Sequence, residues 1–324
     1  MGLDRASLGY VDATLVIDST SRNSVERGIA RGEACHSLDS ARGLAQSDGM
    51  HLLVLKFPGI DPVALQLGPI SIKWYGLAYV AGLLLGWLYI RRLLETGSLW
   101  PGGKAPHSAE IADDLFLFVA LGVVIGGRLG NVLLWDFPHY WSHPLEVLQI
   151  WKGGMAFHGA MLGGTAAIWL FARWRHVSAW PVLDIVAAAV PIGLFFGRIA
   201  NFINAEVVGR EATVPWAMVF PGYGPNPRHP SQLYEAILEG LVLFLLLRWL
   251  IHSKGALQRP GLTGGAFLAG YGLLRTFCEL FKYDEYRTFL GSLPLTSGMV
   301  YCIPMVIAGL LIARRASNSA EAKA

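Results

Sequence analysis

Charge is scarce in this chain. Asp, Glu, Lys and Arg make up 15% of its 324 residues, where a soluble domain carries about 25%. That shortage, with 53% apolar residues and a positive mean hydropathy, excludes an ordinary soluble fold and places the chain among integral membrane proteins. An excess of one sign is missing too. The net charge is +3, and the cations lie in connections rather than in one patch, which argues against a nucleic-acid partner. Cysteine is rare: Cys35, Cys278 and Cys302 are scattered and form no CxxC, so neither a disulfide framework nor a zinc site is supported. No metal-ligand spacing occurs and no cofactor is expected. The apolar runs show no period-2 alternation, which excludes a membrane β-barrel. No strand precedes the glycine spacings, so none reads as a phosphate-binding loop.

Seven apolar segments remain, at Trp74–Leu94, Ala112–Leu134, Met155–Phe171, Val182–Gly197, Ala236–Ile251, Gly264–Phe281 and Gly298–Ala313. Several approach the short limit of roughly 17–25 residues for a spanning helix. The pattern predicts an all-α integral membrane protein with seven transmembrane helices. Lys and Arg mark the cytoplasmic connections: Arg91, Arg92 and Lys104, then Arg173 and Arg175, then Arg248, Lys254 and Arg259, then Arg314, Arg315 and Lys323. This puts the C-terminus in the cytoplasm and the N-terminus outside. The stretch from Asn201 to Ser231 is too polar and proline-rich to be a helix in lipid. It is expected to form a small outer subdomain between the fourth and fifth helices.

Residues 1–49 do not match the rest. They are polar, carry five Arg, and lack the apolar core of a signal peptide. An Arg-bearing tail would have to cross the membrane unaided, so the expected working start is Met50. The transmembrane domain then covers 50–316, with 317–324 as a cytoplasmic tail.

Glycines recur four apart at Gly82/Gly86, Gly122/Gly126/Gly130, Gly159/Gly163 and Gly193/Gly197, a spacing that lets helix backbones approach closely. Gly127-Arg128-Leu129-Gly130-Asn131 echoes Gly197-Arg198-Ile199-Ala200-Asn201, either as a duplication remnant or as two helices solving the same packing problem.

Polar groups inside apolar runs are the candidates for chemistry, since a charge at membrane depth costs from about 2.5 kcal/mol upward. Arg198, Asn201, Asn204 and Glu206 close the fourth segment. Tyr271, Arg275, Glu279 and Lys282, spaced four, four and three, share one helical face. An internal Arg275–Glu279 pair alone would be a poor stabiliser, because desolvation rivals the attraction. Arginine binds two phosphate oxygens at once, so Arg198 and Arg275 together suggest an anionic lipid headgroup. His158 sits among glycines at a helix start, where a group titrating near neutrality could serve as a general base or simply pack. Ser231 fits an N-cap for the fifth helix.

In order, Gly-Gly-Met-Ala-Phe-His158-Gly, Gly-Arg198-Ile-Ala-Asn201-Phe-Ile-Asn204-Ala-Glu206, Arg-His229-Pro-Ser-Gln-Leu-Tyr-Glu235 and Gly-Tyr271-Gly-Leu-Leu-Arg275-Thr-Phe-Cys-Glu279 resemble the bacterial prolipoprotein diacylglyceryl transferases. Trp74-Tyr75-Gly76 matches as well, and the resemblance runs from about Phe57 to Arg315. Ala200, where the family usually has Gly, and Asn131 are small departures. The resemblance implies a multi-pass protein of the bacterial inner membrane. It moves the diacylglyceryl group of phosphatidylglycerol onto the lipobox cysteine thiol of a prolipoprotein signal peptide, forming a thioether and releasing glycerol phosphate. It makes His158 the candidate base, with Tyr271 or Glu206 as alternatives. Arg198 and Arg275 would hold the phosphate, Asn201 and Glu206 would orient Arg198, and Glu279 would fix Arg275. Tyr75 and His229 would line the site, beside Asn204. A phospholipid hydrolase or phosphotransferase using the same arginines is a second reading, and a secondary transporter a third.

Overall fold

The computed structural model describes residues 55–68, 70–134, 136–149, 154, 156–283 and 295–321. The expected tail of 1–49 and the start at Met50 lie outside the described residues. So do Trp151 to Gly153 and the last three residues, 322–324.

The described chain is mostly helical. Seven long helices follow one another: α1 (Trp74–Glu95), α2 (Ile111–Leu134), α4 (Phe157–Trp174), α5 (Ala179–Ile203), α6 (Ser231–Lys254), α7 (Leu262–Glu279) and α8 (Ser297–Glu321). A short α3 (Phe137–Ser142) precedes α4. Each of the seven expected apolar segments lies largely within one of these helices, and the helices overrun the segments at polar ends. Five of them, α1, α2, α5, α6 and α8, are long and apolar enough to cross a membrane. The exceptions, α4 and α7, have 18 residues each. At 1.5 Å per residue that is about 27 Å, just under the roughly 30 Å hydrocarbon core. Large apolar side chains face outward along the bundle, among them Val80, Leu83, Leu117, Ile125, Leu245 and Leu310. Such a belt needs an apolar surrounding.

Glycine sets the tightest contact. Gly122, Gly126 and Gly130 of α2 lie against Gly159 and Gly163 of α4. A Cβ added to Gly130 would come within 2.7 Å of the Gly159 Cα, and one on Gly163 within 2.7 Å of the Gly126 Cα. The backbones themselves are the interface. Gly82 of α1 meets Gly193 of α5 in the same manner, with its added Cβ 3.1 Å from the Gly193 Cα. Gly197 does not follow the expected pattern: a Cβ there would meet nothing within 4 Å.

One apolar core joins Leu93 and Leu94 at the end of α1, Ile111 and Leu115 at the start of α2, Phe171 near the end of α4, Ile185 early in α5 and Ile251 late in α6. These are the helix ends whose flanks carry the Arg and Lys residues. The polar cluster described below lies at the opposite ends. Two short β pairs complete the fold. β2 (Val63–Leu67) and β3 (Ile70–Lys73) form an antiparallel hairpin that leads into α1, and β1 (Leu55–Lys56) pairs in parallel with β4 (Met218–Val219).

Between α5 and α6 the chain is compact. Arg228 is 5% exposed and is held by the Tyr223 and Gly209 carbonyls and the Glu211 carboxylate, with the Tyr283 ring 4.5 Å away. Phe57, Phe202 and Phe220 pack together, pairwise 5.4–6.1 Å apart. Ser231 is not an N-cap. Its hydroxyl donates to the Val207 carbonyl at 3.0 Å and ties the start of α6 to the preceding loop, and Pro230 occupies the cap position. The echoed arginine has a different fate from Arg198. Arg128 donates to the carbonyls of Val147, Gly154 and Glu146, pinning the segment that follows α3.

Candidate active site

Arg198 lies within the last turns of α5 rather than beyond its end. A guanidinium on a buried helix face demands a counter-charge, and α6 supplies it. Glu235, 1% exposed, brings one oxygen 2.7 Å from Arg198 Nε and the other 2.8 Å from Arg275 Nη1. One carboxylate thus bridges the two arginines. The Arg275 contact is an aligned hydrogen bond, whereas the Arg198 contact is close but lacks that alignment.

Three further charges complete the cluster. Glu239, fully buried, lies 3.4 Å from Arg275 Nη1. Glu279 lies 3.6 Å from Arg275 Nη2, and Lys282 sits 3.5 Å from Glu235 and 3.6 Å from Glu279. Three cations therefore face three carboxylates. Glu279, expected to fix Arg275, is the more distant partner. Its carboxylate is instead seated by Thr296, whose hydroxyl donates at 3.3 Å, and by Gly298, where an added Cβ would come within 2.8 Å.

The backbone of α6 explains how two glutamates reach one arginine. After Glu235 the helix widens into a π segment, Ala236–Val242, before resuming as an α-helix. Such widenings cluster at functional sites. Gly240, inside it, lets α5 approach, since a Cβ there would fall 2.7 Å from the Phe195 Cα. Sequence reasoning placed Glu235 in a motif without a role and missed Glu239. The available signal was two acids four apart in an otherwise apolar run.

The amides of this turn link Arg198 to Glu206. Arg198 Nη1 donates to Asn201 Oδ1 at 3.3 Å, and the Asn201 and Asn204 amides each reach the Glu206 carboxylate at 3.4 Å. Gln232 donates to the Glu206 carbonyl at 2.6 Å, fixing this turn to α6. Ala205 and Val207 take positive φ values of 54° and 55°, unusual for residues with side chains. This tight reversal brings Glu206 back over Asn201.

Tyr271 lies one turn before Arg275 on α7, stacked on Phe267 at 5.9 Å. Tyr75, at the start of α1, accepts a hydrogen bond from the Tyr79 hydroxyl at 3.2 Å. His229 pairs with Tyr234 of α6. Its Nδ1 lies 3.0 Å from the Tyr234 hydroxyl, which accepts from Trp216 at 2.6 Å. Burial, and secondarily the Arg210 charge, hold His229 below its ordinary pKa. His158 occupies the second position of α4; its side chain lies outside the described residues. No cluster of metal-binding residues occurs among the described residues, where Cys278 and Cys302 are buried free thiols.

The family model described as prolipoprotein diacylglyceryl transferase matches residues 62–314. The chain belongs to this family. Curated relatives agree in extent. The phosphatidylglycerol–prolipoprotein diacylglyceryl transferase of Rhizobium meliloti is 50% identical over 272 residues, covering 84% of this chain and 97% of that protein. Proteins of the same name from Rhizobium leguminosarum and Agrobacterium fabrum are each 51% identical, over 271 and 273 residues, covering 83% of this chain and 96% and 98% of their own lengths. All of the candidate site residues, from Tyr75 to Glu279, fall inside the span matched to the prolipoprotein diacylglyceryl transferase family.

Proposed function

We infer that this chain is a transferase that moves the diacylglyceryl group of phosphatidylglycerol onto the cysteine thiol of a prolipoprotein, the first step of lipoprotein maturation. Membership of the family carries the reaction. The observation that carries the site is the Glu235 bridge between Arg198 and Arg275. A single carboxylate holds two guanidiniums side by side, and a phosphate diester presents the same paired oxygens.

In this reading the lipid phosphate enters beside Arg198 and Arg275, and the charges of Glu235 and Glu239 keep both arginines oriented before it arrives. The substrate sulfur forms a bond to the diacylglyceryl carbon while the carbon–oxygen bond to phosphate breaks. Negative charge grows on the leaving glycerol phosphate, where fixed guanidinium donors stabilise it. The thiol proton passes to a base: His158, with Tyr271 and Glu206 as alternatives. Glu206 already accepts from two amides, which suits it to orienting Asn201 and Arg198. Tyr75 and His229 line the approach. The chain's own cysteines take no part, because the nucleophile arrives with the lipobox of the signal peptide.

The same reading makes all seven long helices membrane spans of the bacterial inner membrane, with the N-terminus outside and the C-terminus in the cytoplasm. The short α4 and α7 reach across through their polar flanks. The cation-bearing helix ends that share one core form the cytoplasmic side, and the segment between α5 and α6 is the small outer subdomain.

The test is a reconstitution of purified protein with phosphatidylglycerol and a lipobox peptide bearing Cys or Ser. Mass gain on the Cys peptide alone, with one glycerol phosphate released per product, supports transfer. Glycerol phosphate released without acceptor would make the protein a hydrolase.

A further inference from the structure

A second cationic site lies far from the first. At the helical rise, Arg92 stands about 26 Å along α1 from Tyr75, and Arg248 about 20 Å along α6 from Glu235. Both are therefore at the end of the bundle away from the bridged arginines. Here α1 and α6 come together through Tyr89 and Phe244, whose rings are 5.1 Å apart, and Arg248 lies beside Tyr89. A cavity of about 370 Å³ opens on this face, with Leu85, Leu88, Tyr89, Arg91, Arg92 and Glu95 around it.

The charges in this groove are unequal. Arg91 is engaged, with Glu95 at 3.8 Å, Asp113 at 3.7 Å and the Trp87 ring 5.2 Å away. Arg92 and Arg248 are exposed, and among the described residues neither forms an ion pair. The Tyr89 hydroxyl, shielded from solvent, faces Arg248 without an aligned hydrogen bond. Leu85 and Leu88, each 42% exposed, continue the groove along the helix. Two exposed guanidiniums without a carboxylate partner among the described residues, above an apolar channel, match an anion joined to hydrocarbon chains. A free anion would leave the leucine wall without an occupant.

We propose that the groove along α1, flanked by Arg248 of α6, binds an anionic phospholipid, its phosphate held by Arg92 and Arg248 and its acyl chains laid along Leu85 and Leu88. The proposal rests on the reading of these helices as membrane spans, in which this end faces the cytoplasmic leaflet. Basic pockets between helices on that side suit anionic headgroups. The bound lipid is a non-reacting one, since no cysteine substrate reaches this leaflet.

Native mass spectrometry of the full chain released from lipid nanodiscs tests this. The probes are phosphatidylglycerol, phosphatidylcholine with the same acyl chains, and inorganic phosphate. Wild type should retain two phosphatidylglycerol molecules, and Arg92→Gln/Arg248→Gln only one, the affinity for the second falling roughly 10- to 30-fold. Arg92→Lys/Arg248→Lys should keep both, and the single variant Arg92→Glu, on an exposed side chain, should lose the same one. Peptide lipidation measured on the same preparations should stay within about twofold of wild type for every one of these variants. Equal retention in the Gln variants, or equal binding of phosphatidylcholine, would overturn the proposal. Displacement of the second lipid by millimolar phosphate would also overturn it, by making the site a free-phosphate site. Failure of wild type to lipidate peptide would strike the proposed transfer alone and leave the lipid count interpretable.

Discussion

Arg198 Nε stands 2.7 Å from a Glu235 carboxylate oxygen whose twin is held by Arg275. Removing that carboxylate leaves two partly buried guanidiniums without their shared partner, and unpairing a buried ion pair typically costs about 3–5 kcal/mol, an upper bound here. Glu235→Ala should lower the melting temperature and abolish transfer. Glu235→Gln keeps an acceptor and the side-chain volume, so it should fold while losing at least about 100-fold in kcat, as removal of a preorganised electrostatic contact does. Melting curves together with peptide lipidation separate the two effects. A Gln variant within a few-fold of wild type would show that the bridge is structural only.

Asp184 makes a comparable connection at the other end of α7. It is 1% exposed, and its two oxygens accept from the Gly261 and Gly264 amides at 2.6 and 2.7 Å. A carboxylate on α5 thus satisfies the unpaired amides at the start of α7, the helix that carries Tyr271 and Arg275. Asp184→Ala should destabilise by about 1–3 kcal/mol. Asp184→Asn should recover part of that loss, and thermal melts would show it.

The glycine contact between α2 and α4 predicts a steric result. Gly126→Leu or Gly163→Leu must push backbone against backbone, at a cost of at least about 1–3 kcal/mol. Gly197→Ala, with open space at its Cβ, should melt like wild type. If Gly163→Leu melted normally, the close packing of these two helices would be wrong.

Much of this was legible in the sequence, for physical reasons. Long apolar runs form helices with little dependence on their neighbours, so the seven helical segments were readable. Their ends were not, because Arg198 and Asn201 look like a terminus while the backbone continues helical to Ile203. The Arg198–Asn201–Glu206 chain is local, within nine residues of sequence, and its residues were named by the family resemblance. Glu235 and Glu239 were missed as site residues because their partner Arg275 lies 36 to 40 residues away and the π segment that aims them leaves no compositional mark. Ser231 was misread because a serine before a helix fits a cap, and only the folded loop reveals the Val207 carbonyl as its acceptor.

His229 gives a pH dependence. Its folded pKa is below the ordinary histidine value, through burial first and the Arg210 charge second. The unfolded chain therefore binds the extra proton more readily near and below pH 6.5. Stability is full above that pH and falls as the solution is acidified toward the folded pKa. The melting temperature should drop between pH 7.5 and pH 5.5, and the drop should shrink in His229→Gln. An unchanged slope would mean that other groups control the acid sensitivity.

The most direct measurement is single-turnover lipidation of a Cys lipobox peptide by Arg198→Gln and Arg275→Gln in phosphatidylglycerol vesicles, followed by peptide mass and released glycerol phosphate. A shared phosphate clamp predicts that each variant stays in the membrane and loses at least about 100-fold in rate. It also predicts that the double variant is hardly slower than either single one, because the two act on one leaving group. Rates within a few-fold of wild type in either single variant would contradict the clamp.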